Sequence, residues 1–216
     1  MSVITVHQLS KSVHSGDSAI DIMNCQALQV AEHEHLAITG PSGSGKTTLL
    51  NMISGIDVPT HGHVTVLGQN ISQLTEEQRV AFRDQYVGLI FQDFCLFSGL
   101  TALENVALFK PDHSTLDECY KMLDAVGMSQ RYDVEVRHLS GGEKQRVGIA
   151  RAMVKKPKIL LADEPTAQLD TKTAQSVMDL LFHLRQTQAM TMVMITHDIR
   201  VAERCDRMVS MESLSS

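Results

Sequence analysis

At 216 residues the chain has the length of one domain, or of one core carrying a small insertion, with ample material for a hydrophobic centre. Hydrophobic residues make up 43% and charged residues 20%, and the formal net charge is −6, a balance that speaks against a nucleic-acid partner because phosphate backbones call for a basic stripe. No apolar run approaches the roughly eighteen residues that cross a bilayer, so the chain is not expected to span a membrane by itself.

Met1-Ser2-Val3-Ile4-Thr5-Val6 carries no basic segment and alternates with period two, as a first strand does and a signal peptide does not. Residues 10–18 are polar and read as a turn, and residues 27–30 read as a short strand. His35-Leu36-Ala37-Ile38-Thr39 reads as a buried strand. It runs into Gly40-Pro41-Ser42-Gly43-Ser44-Gly45-Lys46-Thr47-Thr48, which fits G-x-x-x-x-G-K-[ST] in full. A helix is expected to follow over residues 48–54, stopped by Gly55.

The residue types of this stretch match its chemistry. Gly40, Gly43 and Gly45 let the backbone wrap a phosphate, and successive N–H groups point at the anion. The helix that starts near Lys46 adds its unpaired N–H groups and the positive end of its dipole. Lys46 has the reach for β- and γ-phosphates, and the Thr47 hydroxyl is placed to ligate Mg²⁺. A plain Gly/Ser loop between strand and helix is the alternative, and the flanking elements argue against it. Nucleoside triphosphate binding is the expectation.

Beyond Gly55, residues 56–62 form a turn-rich connection. Residues 63–67 read as a strand closed by Gly68, residues 73–82 as a helix beginning near Thr75, and residues 86–91 as a strand that delivers Gln92. Composition then changes: Phe94, Leu96, Phe97, Leu100 and Leu103 crowd together, and Thr101 with Glu104 makes a capping box that opens a helix. Further helices are expected at 117–126, ended by Gly127, and at 140–154, with Pro157 closing the stretch. This reads as a mainly helical insertion, 93–156, within an α/β core formed by 1–92 and 157–216. Strands at 158–163, 190–195 and 207–211 alternate with helices at 172–185 and 198–205. Alternation of this kind predicts a mostly parallel sheet, with a small antiparallel edge contributed by the early segments.

Cys25, Cys95, Cys119 and Cys205 are scattered without a C-x-x-C pair, which points to neither a zinc site nor a disulfide framework and suits a reducing compartment. Twelve Met beside no Trp reads as adaptable core filling.

Four apolar residues, Ile159 to Ala162, lead into Asp163 and Glu164. A buried strand that ends in paired acids suits a Mg²⁺–triphosphate site: Asp163 to hold the metal through water, Glu164 to polarise the attacking water. Leu139-Ser140-Gly141-Gly142-Glu143-Lys144-Gln145-Arg146 places a Ser140–Glu143 capping box and two glycines at a helix start. Its local physics is that of an anion site or, equally, of a well-capped helix serving packing only. Gln92 at a strand end is placed to sense metal or water through its amide. His197, just past a strand, is placed to hydrogen-bond a terminal phosphate oxygen. Asp170 reads as a turn and helix-capping acid.

Together these residues closely resemble the ATP-binding-cassette ATPases, the motor subunits of ABC transporters, over nearly the whole chain, from about Val3 to Met211. The match comprises the loop Gly40–Thr48, the glutamine-loop residue Gln92, the signature segment 139–145, the Walker B strand with Glu164, the aspartate loop 167–170 and the switch His197. The resemblance implies a P-loop NTPase fold and a head-to-tail dimer. ATP on Gly40–Thr48 of one copy is closed by Ser140, Gly141 and Gly142 of the other, with Asp170 nearby. It implies Glu164 as general base, His197 on the γ-phosphate, Lys46 on the phosphates, and Thr47, Gln92 and Asp163 around Mg²⁺. It also implies a cytoplasmic ATPase bound peripherally to an inner-membrane permease, which contacts the helical insertion.

The segment Gly88 to Phe94 and the helix opening Leu103-Glu104-Asn105-Val106 look most like the lipoprotein-releasing, macrolide-exporter and cell-division group. Rival readings are a soluble ABC ATPase outside transport and a nucleotide-dependent scaffold. The chain departs from the family pattern where members place an aromatic to stack on adenine: here stand Lys11-Ser12-Val13-His14, and Val13 offers apolar contact without a ring. It also ends soon after the expected last strand, so a regulatory domain is not expected.

Overall fold

The computed structural model describes residues 1–15, 18–108, 116–187 and 189–215. The chain folds as two units: Met1–Asp84 together with Thr191–Ser216, and Gln85–Met190.

In the first unit, β1 (Ser2–Ser15) and β2 (Ser18–Ala31) make a long antiparallel hairpin. β4 (His61–Val66) pairs with the other edge of β1, and the short β5 (Gln69–Asn70) adds to β4, giving the order β2-β1-β4-β5. One face of this sheet is buried through Ile4, Val6, Leu9, Val64 and Val66. The alternation slips at Gln8, which takes a φ of 45°, and the β1–β4 register shifts there, so that Leu9 turns inward.

β1 corrects an expectation. Residues 10–15 are strand, not turn, and β2 reaches back to Ser18 rather than beginning at residue 27. The hairpin end is built from backbone pairing and polar side-chain ties, which leave no hydrophobic alternation. Ser12 Oγ donates to Asp21 at 2.7 Å, and Lys11 Nζ donates to Asp57 at 2.6 Å and to the Val58 carbonyl at 2.8 Å.

The same unit holds a parallel layer in which β3 (His35–Thr39) lies between β8 (Thr191–Ile195) and β9 (Arg207–Ser210). Every residue of β3 and β8 is buried, which explains their unbroken apolar runs. Met192 and Met194 fill this layer. α1 (Lys46–Ser54) follows β3 and packs against β2 and β4 through Leu49, Leu50 and Ile53. Arg79 and Arg83 of α2 (Glu76–Tyr86) both donate to the carbonyl of Gly55, the residue that ends α1. α7 (Ile199–Ala202) is capped by Asp198, and a short α8 (Met211–Leu214), absent from the sequence expectation, follows β9.

The second unit pairs β6 (Val87–Ile90) with β7 (Ile159–Asp163) in parallel, β7 being wholly buried. Its helices are α3 (Ala102–Ala107), α4 (Leu116–Ala125), α5 (Gly141–Met153) and α6 (Thr171–Thr187). α5 is the centre of the group, touching α3, α4, α6 and β6 and burying Val147, Ile149, Ala150 and Met153. The Thr101–Glu104 capping box that opens α3 is formed, as expected.

Parallel strand layers, an antiparallel sheet and a helical segment make this the P-loop NTPase architecture. Among the described residues no helix is long and apolar enough to cross a membrane. None of the four cysteines forms a disulfide, and burial pushes the Cys25 thiol up to about 11, leaving it inert.

Candidate functional site

The loop from Gly40 to Gly45 joins β3 to α1 in the first unit, with Gly40, Gly43 and Gly45 at φ of 152°, 79° and 85°. Gly45 is the residue preceding the helix and makes no side-chain cap, and no acidic residue stands in the first turn of α1. The first N–H groups of α1 therefore keep their donor capacity and the dipole is not neutralised, which is what an anion requires. Lys46 is 8% exposed and its Nζ donates to the carbonyls of Gly40 at 2.9 Å and Pro41 at 2.7 Å. The ammonium is thus held inside the loop rather than out in solvent. Pro41, Ser42, Gly43 and Thr47 lie on the exposed side of the loop, while Thr48 is half-buried.

β2 is the floor under this loop: Met23 and the Ile22 carbonyl sit where a Cβ on Gly45 would go. Farther along the same hairpin, Val13 and Ile20 are Cα partners and both exposed, at 41% and 49%. An apolar pair without a ring therefore occupies the hairpin end. The side chain of His14 lies outside what the structure describes.

His197 in the first unit is exposed immediately after β8, held between Thr196, whose N–H bonds Ile38 O at 3.2 Å, and the helix-capping Asp198. Arg200 holds the Asp198 carboxyl below its usual range.

The second unit carries the remaining candidates. Asp163 ends β7 and is 7% exposed. Glu164 follows at a φ of 45°, a strained conformation for a residue with a side chain and one that gathers at functional sites. Its carbonyl accepts from Ala167 N–H at 3.1 Å, turning the chain toward Asp170. Asp170 caps α6 by accepting from the N–H groups of Lys172 and Thr173, both at 3.1 Å, and the Thr173 side chain, together with these backbone bonds, holds its carboxyl below the ordinary aspartate value. The expected capping role is what the structure shows.

Gln92 is exposed just beyond β6. The signature stretch opens α5 with a full capping box: Glu143 N–H donates to Ser140 Oγ at 3.3 Å and Ser140 N–H donates to Glu143 Oε2 at 2.9 Å. Arg131 pairs with the same carboxylate at 3.0 Å. Gly141 and Gly142 form the first turn, and a Cβ on Gly142 would lie 2.4 Å from Thr173 Cγ2.

Each unit offers hard oxygen donors of a kind that suits Mg²⁺, the Thr47 hydroxyl in the first and the Asp163 carboxylate and Gln92 amide in the second. Among the described residues no group of three or more His, Cys, Asp or Glu gathers as a metal cage.

Sequence reasoning gave no individual role to two residues of α5. Gln145 is 1% exposed with its amide nitrogen unpaired, and Arg151 is buried with its guanidinium bonded to the carbonyls of Phe94 and Cys95. Polar side chains on a helix read as solvated in a sequence, and only packing shows otherwise.

Comparison with known proteins agrees with this geometry. The family model for the ABC transporter matches residues 23–167. The chain is 41% identical to the macrolide export ATP-binding/permease protein MacB of Rhodopirellula baltica over 217 residues, covering 97% of this chain and 32% of that protein. It is 41% identical to the lipoprotein-releasing system ATP-binding protein LolD of Legionella pneumophila, covering 96% and 93%, and 41% identical to the ABC transporter ATP-binding protein YbbA of Escherichia coli, covering 95% and 92%. This chain thus spans about a third of the macrolide exporter and nearly all of the other two. In structure it is similar to the dimeric post-hydrolysis state of the ATP-binding cassette MJ0796 bound to ADP and Pi, with a TM-score of 0.89 at 34% identity, covering 96% of this chain and 93% of that one. The chain belongs to the ABC transporter family as an ATP-binding ATPase subunit related to the MacB, LolD and YbbA group.

Proposed function

We propose that the chain is the Mg²⁺-dependent motor of an inner-membrane ABC complex of the export or lipoprotein-release type, working as a head-to-tail pair. The observation that carries this reading is that one polypeptide holds two glycine-bearing helix starts of different character. One is α1, with no acidic or capping side chain and Lys46 folded into its loop; the other is α5, with Gly141 and Gly142 in its first turn and Ser140 at its cap. The pairing of copies is supported by the dimeric, ADP- and Pi-bound structure of MJ0796.

In this reading ATP lies on Gly40–Thr48 of one copy and meets Ser140–Gly142 of its mate, beside Asp170. Lys46 neutralises the β- and γ-phosphates. Thr47, Gln92 and Asp163 supply oxygen ligands to Mg²⁺, which offsets phosphate charge when bound. Glu164 takes the proton of the attacking water, and His197 holds the γ-phosphate. Residues 1–92 and 157–216 act as the nucleotide-binding core, and 93–156 as the segment that meets the permease on the cytoplasmic face. Relatedness to a macrolide exporter and a lipoprotein-releasing ATPase supports the transport class.

The test is the steady-state ATPase rate of the purified chain against Glu164→Gln, with and without Mg²⁺. Wild-type turnover that requires Mg²⁺ and falls by at least about a hundredfold in the variant supports the reading. A variant as fast as wild type removes Glu164 from the chemistry.

A further inference from the structure

The segment that follows Gln92 is strained. Phe94 and Cys95 both take positive φ, 58° and 47°, and neither is glycine. Two adjacent left-handed residues that both carry a Cβ persist only where their surroundings fix them.

Those surroundings are visible. From below, Arg151 of α5, buried at 8% exposure, donates through Nη2 to the Phe94 carbonyl at 2.8 Å and through Nη1 to the Cys95 carbonyl. Burial lowers the guanidinium's pKa from its usual value, yet arginine keeps its charge in proteins, so the two carbonyls receive charge-assisted bonds. From the side, Gln168 Nε2 donates to Asp93 Oδ1 at 2.5 Å. Arg151 lies on the helix that Ser140 caps, and Gln168 lies two residues before Asp170. The chain after Gln92 is therefore braced against two other segments of the same unit.

We propose that Arg151 and Gln168 are positioning residues that hold residues 93–95 in the strained conformation. They thereby make the Gln92 segment, the signature helix and the Asp170 turn respond as one piece to bound nucleotide. Neither touches the reacting atoms; both act through the backbone that carries Gln92. The forked guanidinium is required because it meets two carbonyls at once, which a lysine ammonium on a flexible stem does not reproduce. The functional half of this inference rests on the role of Gln92 proposed above, whereas the brace itself does not.

Cys95 supplies a readout independent of turnover. Its thiol is exposed within the braced segment, Cys25 and Cys119 are buried, and Cys205 → Ser removes the one partly exposed competitor. Reaction of Cys95 with a soluble aromatic disulfide is to be followed without nucleotide in this background, then with Arg151→Lys and with Gln168→Leu. Loss of the fork is expected to change the Cys95 rate by about fivefold, and loss of the exposed side brace by about twofold. Circular dichroism and melting temperature establish that each variant is folded. In the same proteins kcat for ATP is expected to fall about tenfold in Arg151→Lys with KM moving less than about twofold, because Lys46 and its loop are untouched.

A rate at Cys95 unchanged in both folded variants overturns the brace. Should Arg151→Lys fail to fold, Gln168→Leu decides, since its side chain is exposed and its loss does not open the core. An altered Cys95 rate with kcat unchanged overturns the functional half and leaves the brace. Absence of ATPase activity in wild type, with the Cys95 rates altered as expected, refutes the proposed motor function instead.

Discussion

Gly45 and Met23 are in contact so close that a Cβ on the glycine would lie 2.7 Å from Met23 Cβ and 2.9 Å from the Ile22 carbonyl oxygen. The phosphate loop is therefore seated directly on the strand that forms half of the N-terminal hairpin. Gly45 also has a φ of 85°, so a side chain there meets both torsional strain and overlap. Gly45→Ala is expected to destabilise the chain by about 1–3 kcal/mol and to weaken ATP binding. Denaturant unfolding and nucleotide titration measure the two effects. Because the obstruction includes the Ile22 backbone, Met23→Ala in the same chain is expected to restore only part of the loss.

The signature helix gives a second expectation. Ser140→Ala removes the acceptor for the Glu143 N–H and is expected to cost about 1 kcal/mol of stability, read from the denaturation midpoint. Gly142 adjoins Thr173, so Gly142→Ala is expected to disturb the approach of α5 to the start of α6 as well.

Acid lability follows from the same turn. The Ser140 backbone N–H, with help from the Ser140 hydroxyl and Arg131, holds the Glu143 carboxyl below its usual value. A carboxyl depressed on folding contributes stability that is present above its unfolded pKa, near 4.3, and is lost as pH falls through the folded value. Glu143→Gln keeps a capping side chain but does not ionise. The melting-temperature advantage of wild type over this variant is expected to be constant from pH 7 to about 5 and to shrink below about pH 4. Asp170, depressed by its bonds at the start of α6, adds a loss of the same sign in wild type and variant alike.

The exposed, ring-free hairpin end is the proposed contact for the nucleotide base. Val13 and Ile20 give an exposed apolar pair at the place where the family resemblance implies an aromatic stacked on the base. Val13→Tyr is expected to tighten ATP binding about tenfold, the lower part of the range for base–aromatic stacking, in a titration at fixed Mg²⁺. Unchanged or weakened affinity would mean that the base does not reach this hairpin.

Much of the architecture was legible because its signals are local. The runs in β3, β7 and β8 are apolar since both faces are buried, the loop Gly40–Thr48 is written in glycine, and both capping boxes are spelled by residues three apart. What escaped is held by partners distant in sequence. Residues 10–15 look like a turn because their strand has no apolar face; they are fixed by β2 and by Asp57, 46 residues from Lys11. Phe94 and Cys95 give no sign of left-handed backbone, and Arg151, 56 residues beyond Cys95, gives no sign of burial. α8 is four residues long, too short for a helical period to show.

Sedimentation of the Glu164→Gln variant tests most directly whether two copies of this chain close on Mg²⁺–ATP. With Mg²⁺–ATP the variant should sediment as a dimer, and with ADP or without nucleotide as a monomer. Ser140→Arg in the same background should keep it monomeric while ATP still binds. A variant that binds ATP yet remains monomeric, alone and with the proposed permease, would contradict this closure.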